Sequence, residues 1–222
     1  GGAGHQLTIS IGTATVSGNV TGIGASSTIS FSGAGLLQLG GSMFSAATGT
    51  LTAPSGTVEY NGAAQQVQAL SYNNLILSGG GTKTLAAITT VGGNLTIVDG
   101  TTFNANNGLT VTGTTTVGGG ISGTITFTTL GTKIFVGLVT INNGATWSNT
   151  TESVVFRGGI DNDNGGIFTA GTGVHTFNTN SQTLTGIFTI PSVTVAGGTV
   201  VLTNTNTLTV NTALIGSGRI TQ

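Results

Sequence analysis

The sequence predicts an all-β fold, a single-stranded parallel β-solenoid of roughly ten to twelve rungs, with the right-handed β-helix as the expected form. Three observations support this. Apolar and polar residues alternate over short segments along the whole chain, and these segments recur about every 18 residues. Glycine accounts for 40 of the 222 residues and interrupts nearly every window in which a helix could form.

The alternating segments share the pattern apolar–x–apolar followed closely by Gly or Asn, which is typical of strands with one buried and one solvated face. Eight of the twelve middle residues are Thr, whose branched β-carbon favours extended backbone while its hydroxyl contacts water. We expect the apolar members to superpose on consecutive layers around one dry interior. The twelve pairs are Leu7/Ile9, Ile29/Phe31, Val58/Tyr60, Leu75/Leu77, Leu95/Ile97, Leu109/Val111, Ile125/Phe127, Val139/Ile141, Val154/Phe156, His175/Phe177, Val193/Val195 and Leu208/Val210.

The spacing leaves room for further strands in each turn, such as those at 82–88, 132–138 and 199–204. One turn cannot bury its inward residues alone, so neighbouring turns complete the core. We therefore expect one continuous solenoid domain over 1–222. The widest interval between pairs predicts a corner insertion around 32–57. A β-sandwich is the rival fold, but it predicts hairpin strands at closer spacing and suits the repeated Thr register less well.

The best helix candidate is "GAAQQVQAL" at 62–70, and an internal copy argues against it. "YNGAAQQVQAL" at 60–70 aligns with "FNTNSQTLTGI" at 177–187, which is rich in Thr and typical of a strand. Since two copies of one motif should share a conformation, both are predicted to be β.

The composition excludes several classes of function. The four basic residues are scattered, whereas nucleic-acid binding needs several phosphates neutralised together, so no nucleic-acid partner is expected. No apolar run is long enough to span a bilayer, so no membrane insertion is expected. The chain lacks cysteine. A polar, nearly uncharged chain rich in Gly, Thr and Asn is typical of an extracellular or cell-surface protein.

The densest group of charges is Glu152, Arg157, Asp161 and Asp163. Asp161 and Asp163 in "DNDNGG" are candidate calcium ligands, because alternate residues of an extended segment point the same way. However, no Glu follows at the twelfth position of such a loop, and Gly165 occupies a ligand position. The alternative is an Asx-rich turn between rungs.

The same acids could pair for carbohydrate cleavage. With only five acids in the chain, an active site would consume most of them, so neither enzymatic activity nor a cofactor is expected.

Three further features have both a functional and a structural interpretation. His175 occupies an inward position and, without a second His or Cys, is expected to be a neutral core residue rather than a metal ligand. Trp147 lies near a predicted corner, where an exposed indole could contact a sugar; the alternative is that it fills the core. Thr-x-Thr segments at 13–16, 112–117 and 203–210 could match an ice lattice if they formed one array on one face, or could simply be solvated strands.

The stretches 56–103 and 165–210 carry the clearest repeat motif. In the first, "GTVEYNGAAQQVQALSYNNLILSGGGTKTL" is followed by "VGGNLTIVDGTTF". The motif resembles the repeats of large bacterial surface and secreted proteins of the adhesin type. The resemblance implies a parallel β-helix outside the cell that serves as a stalk, adhesin or filament, and it carries no catalytic residues.

Both ends of the chain enter the strand pattern at once, without a charged or helical segment to shield them. The terminal rung of a solenoid presents unpaired backbone groups that are a template for further strands. We therefore expect copies of the chain to join end to end into a filament, or the ends to continue into a longer surface stalk. The alternative is an adhesin module that binds glycans or a host surface.

Overall fold

The computed structural model describes residues 5–22, 27–44, 49–128 and 131–222, which form thirty short β-strands and no helix. Every strand holds two to five residues, and a glycine, asparagine or other polar residue follows most of them closely. The strands are β1 Gln6–Ile9, β2 Thr13–Val16, β3 Ser27–Phe31, β4 Leu36–Leu39, β5 Gly49–Thr52, β6 Thr57–Tyr60, β7 Gln65–Val67, β8 Ser71–Tyr72, β9 Asn74–Leu77, β10 Gly81–Leu85, β11 Thr89–Val91, β12 Leu95–Ile97, β13 Thr101–Asn104, β14 Leu109–Val111, β15 Thr115–Val117, β16 Thr124–Phe127, β17 Lys133–Phe135, β18 Val139–Ile141, β19 Thr146–Asn149, β20 Val154–Phe156, β21 Ile160–Asp161, β22 Ile167–Thr169, β23 Val174–Phe177, β24 Gln182–Thr185, β25 Phe188–Thr189, β26 Ser192–Val195, β27 Val201–Asn204, β28 Leu208–Thr209, β29 Ala213–Ile215 and β30 Arg219–Thr221.

The strands form three long faces, and every pairing between them is parallel. The first face orders β7-β10-β13-β16-β19-β22, the second β8-β11-β14-β17-β20-β23-β26-β29, and the third β2-β4-β6-β9-β12-β15-β18-β21-β24-β27-β30. Each central turn visits the faces in this order. A three-stranded sheet, β1-β3-β5, contacts the start of the second face through β5 and β8, and β25-β28 form a two-stranded sheet. The predicted fold class, a parallel β-solenoid, is confirmed, with about ten turns.

The inward orientation of the apolar pairs is confirmed, but their stacking on consecutive layers is wrong. Leu95, Leu109, Ile125 and Val139 are all at most 1% exposed. However, Leu95 lies on the third face, Leu109 on the second, Ile125 on the first and Val139 on the third again, two layers after Leu95. The partner that precedes Leu95 is Leu75, twenty residues earlier. Inward apolar and outward polar residues alternate in the same way on all three faces. The pattern therefore predicts where strands lie but not the face to which each belongs.

The segment around 32–57 is not an insertion over its length, because it contributes β4 to the third face and β5 to the three-stranded sheet. Residues 45–48 of this segment lie outside the described residues. Leu37 and Leu39 form a further inward apolar pair within this segment, since both are fully buried and a glycine follows Leu39.

The segment at 62–70 and its internal copy are both strands, as predicted. Gln65–Val67 is β7 and Gln182–Thr185 is β24. The copies lie on different faces, the first and the third. Gln65 and Gln182 each point inward and are at most 7% exposed, so the motif places a glutamine at the start of a strand whichever face that strand joins.

Aromatic side chains form a continuous cluster in the middle of the core. The ring centroid of Trp147 lies 4.7 Å from that of Phe127, 5.1 Å from Phe135 and 5.8 Å from Phe168. Phe168 in turn lies 5.3 Å from Phe188, which places β25 next to the end of the first face. Such contacts add to the free energy gained by burying the rings, so the cluster helps to stabilise the middle of the core.

Candidate functional sites: the end surfaces and the outward faces

The N-end surface is the exposed layer formed by β1, β2 and the chain around Val20. Leu7 is 37% exposed, whereas its partner in the next turn, Ile29, is 3% exposed. Leu7, Val16, Val20 and Phe44 line an apolar cavity of about 180 Å³ that opens here. Among the described residues, no turn packs over the outer side of this layer, so inward apolar residues such as Leu7 remain partly exposed.

The C-end surface is the corresponding layer formed by β28, β29 and β30. Leu214 is 57% exposed, whereas its partner Val193 in the preceding turn is fully buried. Leu208, Val210, Leu214 and Ile220 line a groove of about 480 Å³ at this surface. These residues occupy the same inward positions as the core residues one turn earlier, but no further turn covers them among the described residues.

The two end surfaces have the same strand direction. Every strand pair in the described chain is parallel, so the outer edges of β29 and β30 run in the same sense as those of β1 and β2. An edge strand presents backbone N–H and C=O groups that can pair with another strand. A parallel continuation of the sheets therefore requires the C-end surface of one rod to meet the N-end surface of another.

Two lysines point into the core, which the sequence analysis did not predict. Lys83 on β10 is fully buried, and its Nζ donates to the carbonyl oxygens of Gly62, Ala63 and Gly80, the last two at 2.8 Å. Burial lowers the pKa of Lys83 to about 8. The signal was present in "TKT", because two outward threonines place the residue between them inward.

Lys133 on β17 is also fully buried, and its Nζ donates to the carbonyl oxygen of Gly131 at 2.8 Å and lies 5.9 Å from the ring centre of Phe127. Burial lowers the pKa of Lys133, and the nearby carboxylate of Glu152 acts in the opposite direction. Both lysines donate hydrogen bonds to backbone carbonyls at corners of the coil, so they stabilise the conformation of these corners.

The candidate calcium ligands form an Asx turn. The backbone N–H of Asp163 donates to Oδ1 of Asp161 at 3.2 Å, and Gly165 follows with a φ of 81°. Glu152 is 2% exposed and lies in a loop closed by Asn149 on another corner. Across the described ranges, no group of three or more His, Cys, Asp or Glu residues is arranged to hold a metal ion.

His175 is in the core, as expected. It is fully buried, stacks on Phe156 with centroids 6.0 Å apart, and its Nδ1 lies 3.1 Å from the carbonyl oxygen of Gly173. Its Nε2 has no hydrogen-bond partner among the described residues. Burial lowers its pKa to about 4, so the ring is neutral at physiological pH.

Trp147 is fully buried within the aromatic cluster, so its indole is not exposed to contact a ligand. It is the middle residue of "TWS", between the outward Thr146 and Ser148, and the strand alternation directs it into the core. The alternative interpretation, that it fills the core, describes its position.

The outward side chains of the first face form the most regular polar surface. We call it the threonine face and define it by two columns, Thr82–Thr102–Thr124–Thr146 and Thr84–Asn104–Thr126–Ser148. The contiguous Thr-x-Thr segments in the sequence do not form one array. Those at 13–16 and 112–117 contribute to the third face, and 203–210 is divided between β27 and β28.

Comparisons with models of protein families, with curated proteins and with solved structures found no match to this chain. The fold alone therefore defines the class of protein, a parallel β-solenoid with repeated turns. Among the described residues, no helix is both long and apolar enough to cross a membrane.

Proposed function

We propose that this chain is an extracellular structural protein, a β-solenoid subunit that stacks end to end into a filament or forms part of a cell-surface stalk. The observation that carries the proposal is the exposure of core positions at both end surfaces. Leu7 and Leu214 are inward residues of the outermost described turns, and each is far more exposed than its partner one turn inside.

Stacking would bury these residues and pair the edge strands in one step. Burial of apolar surface contributes about 25 cal/mol per Å², and a leucine side chain contributes roughly 2 kcal/mol when fully buried. Because the surfaces that meet are different, the contact is heterologous. A heterologous contact whose rotation does not close produces an open filament.

The composition supports an extracellular location. Nine charged residues in 222 leave a surface composed mostly of hydroxyl and amide groups. Stability then depends little on salt, because few exposed ion pairs are available to be screened. The resemblance of the repeats to those of adhesin-type surface proteins supports the same location. End stacking is preferred to glycan binding because the one aromatic residue proposed to contact a sugar is buried.

The decisive experiment blocks each end separately. Leu7→Lys and Leu214→Lys each place a charge on one end surface, while Ile88→Lys changes a side chain that is 79% exposed on a lateral corner. Wild type and Ile88→Lys should form filaments that lengthen with concentration, visible by negative-stain electron microscopy. Each end variant alone should stay monomeric in sedimentation velocity.

An equimolar mixture of the two end variants should form dimers, since each retains one intact end of the opposite kind. Monodisperse single rods of wild type at every concentration would contradict self-stacking and leave only the stalk form of the proposal, in which further turns of one polypeptide cover the end surfaces. Filaments that persist in both end variants would contradict stacking through the end surfaces.

A further inference from the structure

We infer that the threonine face binds ice, through two in-register columns of outward polar side chains on a parallel sheet, seven of the eight bearing a hydroxyl group. This inference concerns the side of the rod and does not depend on the function proposed for its ends.

The array is regular in two directions. Thr82 is the direct partner of Thr102, Thr102 of Thr124, and Thr124 of Thr146, so one column consists of threonine in four successive turns. Parallel strands lie about 4.8 Å apart, and residues two apart on one strand are separated by about 6.6 Å. The second column, beginning at Thr84, repeats the same spacing two residues further along each strand.

Crystalline water has two periods that are close to these two spacings of the protein. With an O–H···O distance of about 2.75 Å and tetrahedral angles, next-nearest oxygens are about 4.5 Å apart, and the repeat across two puckered layers is about 7.3 Å. The spacing between strands exceeds the shorter period by about 7%, and the spacing along a strand falls short of the longer period by about 10%. A polysaccharide chain repeats in one direction only, whereas this surface repeats in two. A two-dimensional lattice is therefore the partner that fits it.

The chemistry of the face favours water held in a lattice. Among the described strands of the first face, no outward side chain is charged, whereas Glu59 and Asp161 interrupt the outward positions of the third face. A charge would orient neighbouring water around itself and break the pattern. Threonine presents a methyl group beside each hydroxyl, so water can be confined by the methyls and hydrogen-bonded by the hydroxyls.

The face is also held rigid from behind. The residues between the two columns, Lys83, Phe103, Ile125 and Trp147, are all fully buried. β-Branched threonine has few χ1 rotamers, and Thr126 Oγ1 donates to Asn104 Oδ1 at 2.7 Å. A preorganised array loses little conformational entropy when it meets a rigid surface, which increases affinity.

The test compares variants of the threonine face with a matched variant of another face. Thr102→Tyr and Thr124→Tyr each place a bulky ring in the array, and Thr140→Tyr places the same ring at an outward position of β18 on the third face. Wild type and Thr140→Tyr should shape growing ice crystals and separate the freezing from the melting temperature. Each threonine-face variant should reduce that separation at least fivefold, and far-UV circular dichroism on heating should show unchanged folding.

A fluorescently labelled protein grown into a single ice hemisphere provides a second readout. Wild type should enter the ice on defined planes, while Thr124→Tyr should be excluded. The inference is overturned if wild type neither shapes crystals nor enters ice, or if Thr140→Tyr loses as much activity as Thr124→Tyr. The inference would also be overturned if wild type had no effect on freezing but bound a polysaccharide or formed a dimer, and Thr124→Tyr abolished that binding.

Discussion

Gly113 lies directly over Gly93 at the corner between the second and third faces, and its backbone N–H donates a 2.9 Å hydrogen bond to the carbonyl oxygen of Gly93. Gly137 and Gly158 continue this column in the next two turns. A Cβ atom added to Gly137 would lie 2.3 Å from the carbonyl oxygen of Gly113 and 2.8 Å from the backbone nitrogen of Thr114. Only glycine lets successive turns approach this closely.

The glycine column predicts that Gly137→Ala destabilises the rod. The obstructing atoms are backbone, which cannot move aside as a flexible side chain would, and overpacking of this kind typically costs about 1–3 kcal/mol. The free energy of unfolding should be measured by urea denaturation followed by circular dichroism. Gly198→Ala is the matched control, since an added Cβ there meets no atom within 4 Å. Equal stabilities for the two variants would contradict the close approach as the reason for glycine.

The sequence predicted the strands well and their arrangement less well. Alternation is a local property, so it correctly predicted that the side chains of Leu95 and Ile125 point inward. The face to which a strand belongs depends on the length of the corners before it, and these range from single residues to several. Leu75 and Leu95 are partners at a separation of twenty residues, while Thr115 and Val139 are partners at twenty-four. No fixed period could therefore assign the faces.

The candidate sites show the same division between local and long-range information. His175 was placed correctly because its position in a strand decides its burial. Sequence alone did not predict the threonine face, because its segments lie about twenty residues apart, as in "TKT" at 82–84 and "TFN" at 102–104, and only strand pairing brings them together. The end surfaces were anticipated, since an inward residue in an outermost turn needs only its strand register to be recognised.

His175 predicts a pH dependence of stability. Its folded pKa of about 4 lies below the ordinary histidine value of 6.5 because burial disfavours the charged ring. Between these values the unfolded chain binds more protons than the folded one, so stability rises with pH. The free energy of unfolding should therefore fall by up to about 3 kcal/mol as the pH falls from 6.5 to 4.

His175→Leu should remove this slope while leaving an apolar side chain against Phe156. His5→Leu, at an exposed position near the start of the described residues, should leave the slope unchanged. Urea denaturation at half-unit steps of pH provides the measurement. A slope of the same size in His175→Leu would assign the pH dependence to other groups.

The carboxylate of Asp99 is expected to stabilise the corner that follows β15. Its Oδ1 accepts backbone hydrogen bonds from Gly119 at 2.7 Å, Ser122 at 3.0 Å and Ile121 at 3.3 Å, all one turn further along the chain. The N–H groups of Gly119 and Ser122 hold the pKa of Asp99 below its usual range. The stabilisation is therefore present above the unfolded value of 3.8 and is lost as the pH falls through the folded pKa.

Asp99→Ala should leave these three amides without their acceptor and increase their hydrogen-exchange rates at neutral pH, while amides of the buried strands stay protected. The matched control is Asp163→Ala, because the described contact of Asp163 uses its backbone N–H rather than its carboxylate. Exchange should be followed residue by residue by NMR. Lowering the pH of wild type through the folded pKa of Asp99 should reproduce the faster opening of the corner, after the rates are corrected for the intrinsic effect of pH on exchange. If Gly119 and Ser122 exchange equally slowly in Asp99→Ala and wild type, backbone pairing between turns is sufficient to order this corner, and the carboxylate serves another purpose.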